Sequence, residues 1–204
     1  MMTFNELFNK HKAKKKKHYG NIYDSWFEKD RLKVTSVLEI GIYEGHSLNV
    51  WAEYFSNAEI YGIDIAKREW DFISDRIHTF IGNQSDEEFL KTFGEFDIVF
   101  DDASHRMKDQ KKSFNILFKH LKPGGIYVIE DLHTSYWPKY DGKFKGKKTT
   151  IEKLKSYVDC LNYRAYKQDR RAENHRSKSS ISFFDKKIES VHFYKSLCFI
   201  RRHR

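Results

Sequence analysis

The sequence predicts an α/β protein built on a doubly wound parallel sheet with helices on both faces. Three observations carry that prediction. Short apolar runs rich in branched residues recur between residues 36 and 129. Stretches with helical spacing of apolar residues separate them. The acidic and glycine clusters of this region fall where an apolar run ends. Strands alternating with helices imply parallel βαβ units, and ligands in such sheets bind outside the carboxyl ends of the strands.

Ser36–Ile40 (SVLEI) is a short buried run stopped by Gly41, and reads as the first strand. From Ser47 to Ser56, Leu48, Trp51, Ala52 and Phe55 fall at i, i+3, i+4 and i+7, one face of a helix. Ala58–Ile63 is a second strand ending at Asp64, and Ile77–Ile81 a third ending at Gly82. A short helix is expected over Glu87–Phe93, then a fourth strand over Phe96–Phe100, closed by Asp101 and Asp102. Asp109–Leu121 places Phe114, Leu117, Phe118 and Leu121 on one helical face, and Pro123-Gly124-Gly125 reads as its stop signal. Ile126–Ile129 is a fifth strand, closed by Glu130 and Asp131.

The character changes beyond Trp137. Lys139–Lys148 is rich in Gly and Lys and reads as an exposed loop; Gly142 and Gly146 are one residue too close for a phosphate loop. Ile151–Leu161 is an amphipathic helix, and Tyr166–Lys178 is polar and expected on the surface. Ile181–Phe184 and Val191–Ile200 are strand-like and would pair as a terminal hairpin. The chain therefore reads as a single domain over 1–204. It divides into a basic N-terminal segment or lid (1–33), a core for cofactor and metal (34–132), a substrate loop and helix (133–178) and the hairpin (179–204).

With 204 residues, one domain can bury a core without staples. Aromatic residues make up 16%, more than a disordered chain carries. The two cysteines, Cys160 and Cys198, form no disulfide framework or metal knuckle, which suits a reducing, cytoplasmic setting. There is no apolar stretch of 18 residues and no apolar segment after Met1, so neither a membrane span nor a secretory signal is expected. The net charge of +9 suggests nucleic acid, but its distribution does not. Residues 34–132 carry 18 acidic against 10 basic side chains, while the segments on either side are strongly basic. A middle built this way suits a cation better than a polyphosphate. The run Lys10–Lys17, six lysines in eight positions, reads as a solvated tail, although Tyr19 and Tyr23 just beyond it could fold over a ligand.

Three clusters carry chemistry. In Glu39-x-Gly41-x-x-x-Gly45 a glycine turn lets backbone approach a ligand, and Asp64, 23 residues after Gly41, is placed to bind both ribose hydroxyls. Gly82-Asn83-Gln84-Ser85-Asp86 adds polar groups able to meet an adenine. Asp101-Asp102 and Glu130-Asp131 end strands expected to be neighbours, so up to four carboxylates would share one crevice. Either acid could instead cap a helix. Two acidic pairs together call for a hard divalent ion, Mg²⁺ or Ca²⁺ with Mn²⁺ as a substitute, to offset their repulsion. His105 stands three residues past Asp102, where a neutral imidazole can take a proton from a hydroxyl; His133 is the weaker candidate. A zinc site on both histidines lacks a known spacing.

At these residues the chain resembles the class I S-adenosylmethionine-dependent methyltransferases, and among them the magnesium-dependent sugar O-methyltransferases of macrolide tailoring. The likeness runs through HYGNIYDSWF (18–27), VLEIGIYEGHSLNVWAEYF (37–55), IYGIDI (60–65), GNQSD (82–86), DIVFDDASH (97–105), LKPGGIYVIEDLHTSYW (121–137) and SVHFYKSLCFI (190–200). The resemblance implies a Rossmann-like seven-stranded sheet, mostly parallel, with the last strand antiparallel. It implies a metal triad of Asp102, Glu130 and Asp131 and a general base at His105. Cofactor contacts would fall at Glu39, Gly41, Gly45, Asp64, Gln84 and Asp101. Acceptor contacts are expected at Tyr19, Tyr23, His133, Tyr136 and Trp137. Ala103 and His46 stand where glycine is common, and the resemblance does not reach the long N-terminal region of the macrolide enzymes.

The expected function is Mg²⁺-assisted methylation, from S-adenosylmethionine, of a sugar hydroxyl, such as one of a deoxyhexose like rhamnose in a glycan or glycoconjugate. The basic loop at 139–148 would meet an anionic part of that acceptor, and a homo-oligomer is compatible with the sequence. Two alternatives stand beside it. One is a relative of the cephalosporin hydroxylases. The other is a nucleic-acid-binding protein or nucleic-acid methyltransferase using the basic flanks, disfavoured because no Asn/Asp-Pro-Pro-aromatic element is present.

Overall fold

The computed structural model describes residues 1–168 and 182–204 and places every strand in one sheet. The strands are β1 (Ser36–Ile40), β2 (Glu59–Asp64), β3 (Ile77–Ile81), β4 (Phe96–Asp101), β5 (Leu121–Ile129), β6 (Ile188–Tyr194) and β7 (Leu197–Arg202). Their order is β3-β2-β1-β4-β5-β7-β6. Strands β1 to β5 pair in parallel, and β7 runs antiparallel to both β5 and β6. The carboxyl ends of β1, β2, β4 and β5 therefore open on one rim, where Gly41, Asp64, Asp101–His105 and Glu130–His133 follow.

The central strands are apolar because both faces are covered. On one face lie α1 (Phe4–Lys10), α2 (Lys17–Phe27) and α3 (His46–Tyr54), packing Phe4, Tyr23, Phe27 and Trp51 onto Val37, Phe100, Val128 and Phe199. On the other lie α4 (Glu87–Lys91), α5 (Met107–Leu117), α6 (Thr150–Gln168) and α7 (Phe183–Lys187), over Leu38, Val99, Tyr127 and Ile129. Aromatic rings pack on both faces, and the first has the closest stacks. Trp51 stacks on Phe100 with centroids 4.2 Å apart, and Phe4 on Tyr54 at 3.7 Å.

Several expectations need correction. The N-terminal segment is not a tail: Phe4, Leu7, Phe8, Tyr19, Tyr23 and Phe27 are core residues, and Thr3 closes a capping box with Glu6. The helix α5 ends before Pro123-Gly124-Gly125, through a 3₁₀ turn at Phe118–His120. The Pro-Gly-Gly segment instead lies inside β5, where Gly124 takes a φ of +81° and the register against β4 shifts between Phe96 and Ile98. Proline and glycine here make a strand irregularity rather than a helix stop. Phe183 and Phe184 belong to the helix α7, not to a strand, and Ile181 lies outside the described residues. The hairpin is β6–β7, with its turn at Lys195-Ser196 inside the run read as one strand. Of the polar segment expected over 166–178, residues up to Gln168 continue α6 and the rest lies outside the described residues.

Candidate active site

Gly41 ends β1 with a φ of +98°, and a Cβ there would sit 2.5 Å from the carbonyl oxygen of Asp102. Only glycine lets the β1 and β4 ends approach so closely. Beside it opens a cavity of about 310 Å³, lined by Gly41, Tyr43, Asp64, Arg68, Gln84 and Asp109 among others. Asp64 Oδ2 accepts the amides of Ile42 and Tyr43 at 3.0 and 2.9 Å, and its Oδ1 accepts that of Ala66 at 2.9 Å. The carboxylate is thereby held at the cavity wall, with lone pairs to spare for a diol. Gln84 Oε1 accepts the Ser104 amide at 2.8 Å, joining the β3 and β4 ends.

The six expected cofactor contacts divide. Gly41, Asp64 and Gln84 line this cavity; Glu39, Gly45 and Asp101 do not. Asp101 is buried behind Gln84, where Ser113 Oγ and Tyr127 OH donate to its Oδ2 at 2.6 and 2.9 Å. Burial pushes its carboxyl up to about 6. Gly45 is the N-cap of α3 at φ +83° and faces Trp70. Glu39 is buried and accepts from Ser47 Oγ at 2.6 Å and Trp51 Nε1 at 3.0 Å. Tyr43 and Ser104, inside the strand-end clusters 41–45 and 101–105, also line it, as do Arg68 and Asp109, which the sequence did not single out because loop residues without periodicity carry no signal of facing a cavity.

A second cavity, about 300 Å³, shares Gly41, Tyr43, Asp102 and Ala103 with the first and adds Lys15, Ser47, His105 and Asp131. Its floor is acidic. Asp102, His105 and Asp131 form one set whose ligand atoms lie within 4.8 Å of one another; Glu39, Asp102 and Glu130 form another. The expected triad of Asp102, Glu130 and Asp131 is thus divided, with Asp102 common to both sets. Asp131 and His105 hold left-handed backbone at φ +52° and +56°, uncommon for such residues and a local strain at the two positions that build the outer set.

The inner set is filled by lysine. Lys15 Nζ donates to Asp102 Oδ2 at 2.6 Å, Glu130 Oε1 at 2.8 Å and Glu39 Oε1 at 3.0 Å, with its side chain only 6% exposed. Burial opposes the charge on Lys15, but the three carboxylates outweigh it and hold its pKa well above the usual range. Burial, then the neighbouring Asp102, push Glu130 up to about 8 against the pull of Lys15. Lys16 pairs with Asp131 Oδ1 at 2.5 Å, and Tyr19 OH donates to the same oxygen at 2.7 Å. The lysine run expected to be solvated therefore supplies the charge of the centre. A hint of this was present in the sequence: 18 acids in the middle need cations, and Tyr19, Tyr23 and Phe27 follow the run at i, i+4 and i+8.

Asp102 and Asp131 of the outer set offer a divalent cation two carboxylates on a cavity wall, and the His105 imidazole stands beside them with its Nδ1 buried and lacking any hydrogen-bond partner. Of the expected acceptor residues, Tyr19 and Tyr23 are buried against the core and cannot face an acceptor. Both hydroxyls keep their protons, with pKa values raised by burial first and then by the nearby carboxylates. His133 and Tyr136 line a third cavity of about 500 Å³ with Leu132, Phe193 and Tyr194, and Trp137 packs edge-on against His133 at 4.7 Å. Burial, then Lys16, lower the His133 pKa.

Comparison with known proteins agrees with this geometry. Residues 38–132 match the Methyltransf_24 family, described as a methyltransferase domain. The chain is 36% identical over 197 residues to the mycinamicin VI 2''-O-methyltransferase of Micromonospora griseorubida, covering 89% of this chain and 47% of the relative. It is 37% identical over 194 residues to the demethylmacrocin O-methyltransferase of Streptomyces fradiae, covering 88% and 47%. The chain spans about half the length of the curated relatives it matches. Among solved structures, the MycE methyltransferase of the mycinamycin pathway, in complex with Mg and SAH, superposes with a TM-score of 0.88 at 32% identity, covering 100% of this chain and 55% of that one. Residues 38–132 are thus similar to a methyltransferase domain, and the described residues share the fold of the MycE methyltransferase.

Proposed function

We propose that the protein is an S-adenosylmethionine-dependent O-methyltransferase, assisted by Mg²⁺, that acts on a sugar hydroxyl. One observation carries this reading: the cavity walled by Asp64 and Gln84 and the cavity holding the outer carboxylate–imidazole set share Gly41, Tyr43, Asp102 and Ala103. A methyl donor in the first and a hydroxyl at the second would meet across that wall. When bound, the sulfonium cofactor supplies the methyl group and the cation supplies the Lewis acidity that makes a hydroxyl acidic. The chain does the rest. Asp64 and Gln84 orient the nucleoside, and Gly41 keeps the wall thin. Asp102 and Asp131 hold the cation. The imidazole of His105, on the wall of the same cavity and left free of the ion, takes the hydroxyl proton. Most of the gain comes from orientation.

A sugar acceptor, such as a deoxyhexose on a larger glycoside, is supported by the relatives, whose names include a rhamnosyl tetracenomycin-C 2'-O-methyltransferase at 34% identity. Its aglycone has room in the third cavity, and an anionic portion would meet the lysines of the 139–148 loop. Among the described residues no helix is long and apolar enough to cross a membrane.

The test is methyl transfer from labelled cofactor to rhamnosides, with EDTA and with Mg²⁺ restored. Loss on chelation and recovery on restoration are expected; activity indifferent to chelation would sink the metal role. His105→Ala should lower transfer by about 10²- to 10⁴-fold while leaving S-adenosylhomocysteine affinity unchanged. Weakened cofactor binding in that variant would show that His105 has another role.

A further inference from the structure

Residues 137–148 (WPKYDGKFKGKK) interleave rings with lysines and fold back beside His105. The Gly142 amide donates to the Trp137 carbonyl at 3.0 Å, and the Lys143 amide to that of Ser135 at 2.9 Å. A Cβ on Gly142 would sit 2.5 Å from the Thr134 carbonyl oxygen, and Asp141 and Lys145 hold left-handed backbone at φ +62° and +54°. The segment is therefore a shaped surface, tied to the turn that follows Glu130 and Asp131. Rings lead from it to the second cavity. His105 meets Tyr140 edge-on with centroids 5.9 Å apart, Tyr140 lies 6.2 Å from Trp137, and Tyr136 lies 5.6 Å from Phe144. Trp137 and Phe144 stay 49% and 68% exposed, so the rings face solvent together, as at a binding surface.

The lysines here have no acids to meet. Five lie between 139 and 148, and the one acid of that stretch, Asp141, pairs with Arg106 at 3.3 Å. Among the described residues none of the five pairs with a carboxylate, whereas Lys10, Lys14, Lys15 and Lys16 all do. Instead Lys139 Nζ and Lys145 Nζ rest over the faces of Tyr140 and Phe144, 5.5 and 5.6 Å from the centroids.

We propose that residues 136–148 form a platform for an acidic glycan: the acceptor hydroxyl sits at the second cavity, and neighbouring sugar units that carry carboxylates lie along the rings and lysines. The inference rests on the O-methyltransferase reading above and narrows its acceptor to a sugar within an acidic oligosaccharide. The C–H face of a pyranose packs on an aromatic ring as hydrocarbon does, and a uronate carries its carboxylate on the same ring that stacks. Ring and ammonium at adjacent positions, Lys139 with Tyr140 and Phe144 with Lys145, match that unit. In a nucleic acid the charge lies on a phosphate, a pentose away from the base that stacks, and ring and cation would need wider spacing.

The test is calorimetry on the full chain loaded with S-adenosylhomocysteine, with three probes. They are rhamnogalacturonan oligosaccharides, in which rhamnose alternates with galacturonate; the same oligosaccharides after reduction of the carboxyl groups; and oligodeoxythymidylate of equal charge. The acidic sugar should bind about tenfold tighter than the reduced one at low salt, the combined effect of a few exposed ion pairs. The exposed triple variant Lys139→Gln/Lys143→Gln/Lys145→Gln should erase that preference. Phe144→Ala should weaken both sugars about fivefold while leaving S-adenosylhomocysteine affinity unchanged. Equal binding of acidic and reduced sugars, or a triple variant that keeps the preference, would overturn the platform. Oligodeoxythymidylate binding tighter than the acidic sugar would also overturn it and assign the surface to nucleic acid. Binding is read without turnover, so these outcomes stand apart from the transfer assay above. Loss of the acid preference leaves methyl transfer to rhamnosides untouched, and failure of that transfer leaves an acid-preferring surface in place.

Discussion

Lys15 is the residue whose surroundings differ most from what its neighbours in sequence suggest. Its ammonium compensates three carboxylates that would otherwise repel in a water-poor crevice. Lys15→Met keeps the volume and removes the charge. It should therefore destabilise the metal-free protein by about 3–5 kcal/mol, the usual cost of leaving buried charges unpaired, measured as a shift in urea midpoint. Asp101 makes a second residue-scale prediction. Its carboxyl is raised to about 6 in the fold by burial, against about 3.9 when unfolded. The folded state thus binds the extra proton, and the stability this contributes is complete below about pH 4 and lost as pH rises through 6. The loss amounts to roughly 3 kcal/mol. Asp101→Asn still offers an acceptor to Ser113 and Tyr127 but cannot ionise. The difference in unfolding free energy between the two proteins should therefore grow from pH 4 to 6.5; a constant difference would show that Asp101 does not titrate there.

At the scale of elements, the strands were legible and the N-terminal helices were not. β1 falls where its apolar run places it, since a strand covered on both faces reads as an uninterrupted run, and the half-exposed edge strand β3 falls where Ile77–Ile81 places it. The segment 1–33 offers a lysine run that masks its periodicity, yet Phe4, Leu7 and Phe8 dock it on the sheet. Phe4 is fully buried and touches Tyr54, Tyr23, Phe27 and Trp51. Phe4→Ala should cost about 3–5 kcal/mol, read as a shift in urea midpoint. The hairpin was misplaced for a different reason: its turn, Lys195-Ser196, contains neither Gly nor Asn, and Ser196 adopts φ +65° only because β6 and β7 hold it.

For the whole molecule, charge is organised by depth. The net +9 comes from the flanks, and part of the N-terminal surplus is consumed inside the fold by Glu39, Asp102, Glu130 and Asp131. The rim formed by the β1, β2, β4 and β5 ends then gathers the cavity walled by Asp64 and Gln84 and the outer carboxylate–imidazole set within one wall. Cofactor binding there should stabilise the entire domain. S-adenosylhomocysteine at a hundred times its Kd should add about 2.7 kcal/mol, seen as a rise in Tm, and Asp64→Ala should abolish most of that rise. An Asp64→Ala protein with a full thermal shift would place the nucleoside elsewhere.

The sequence by itself determined the five parallel strands and the polar groups at their rim, because runs of branched apolar residues and the polar groups ending them are local features. It placed Gly41, Asp64, Gln84, Asp102, His105 and Asp131 at the strand ends, where the structure has them lining the two cavities. Only the tertiary structure decided which acids face a cavity and which stand behind it. Glu39 and Asp101 end strands as Asp64 does, but α3 and α5 cover them with Ser47, Trp51 and Ser113. It also decided which of six lysines enters the centre. Along the chain those lysines are chemically alike; the packing of α1 and α2 sets the height of the segment between them over the β1, β4 and β5 ends, and at that height one ammonium alone reaches three carboxylates.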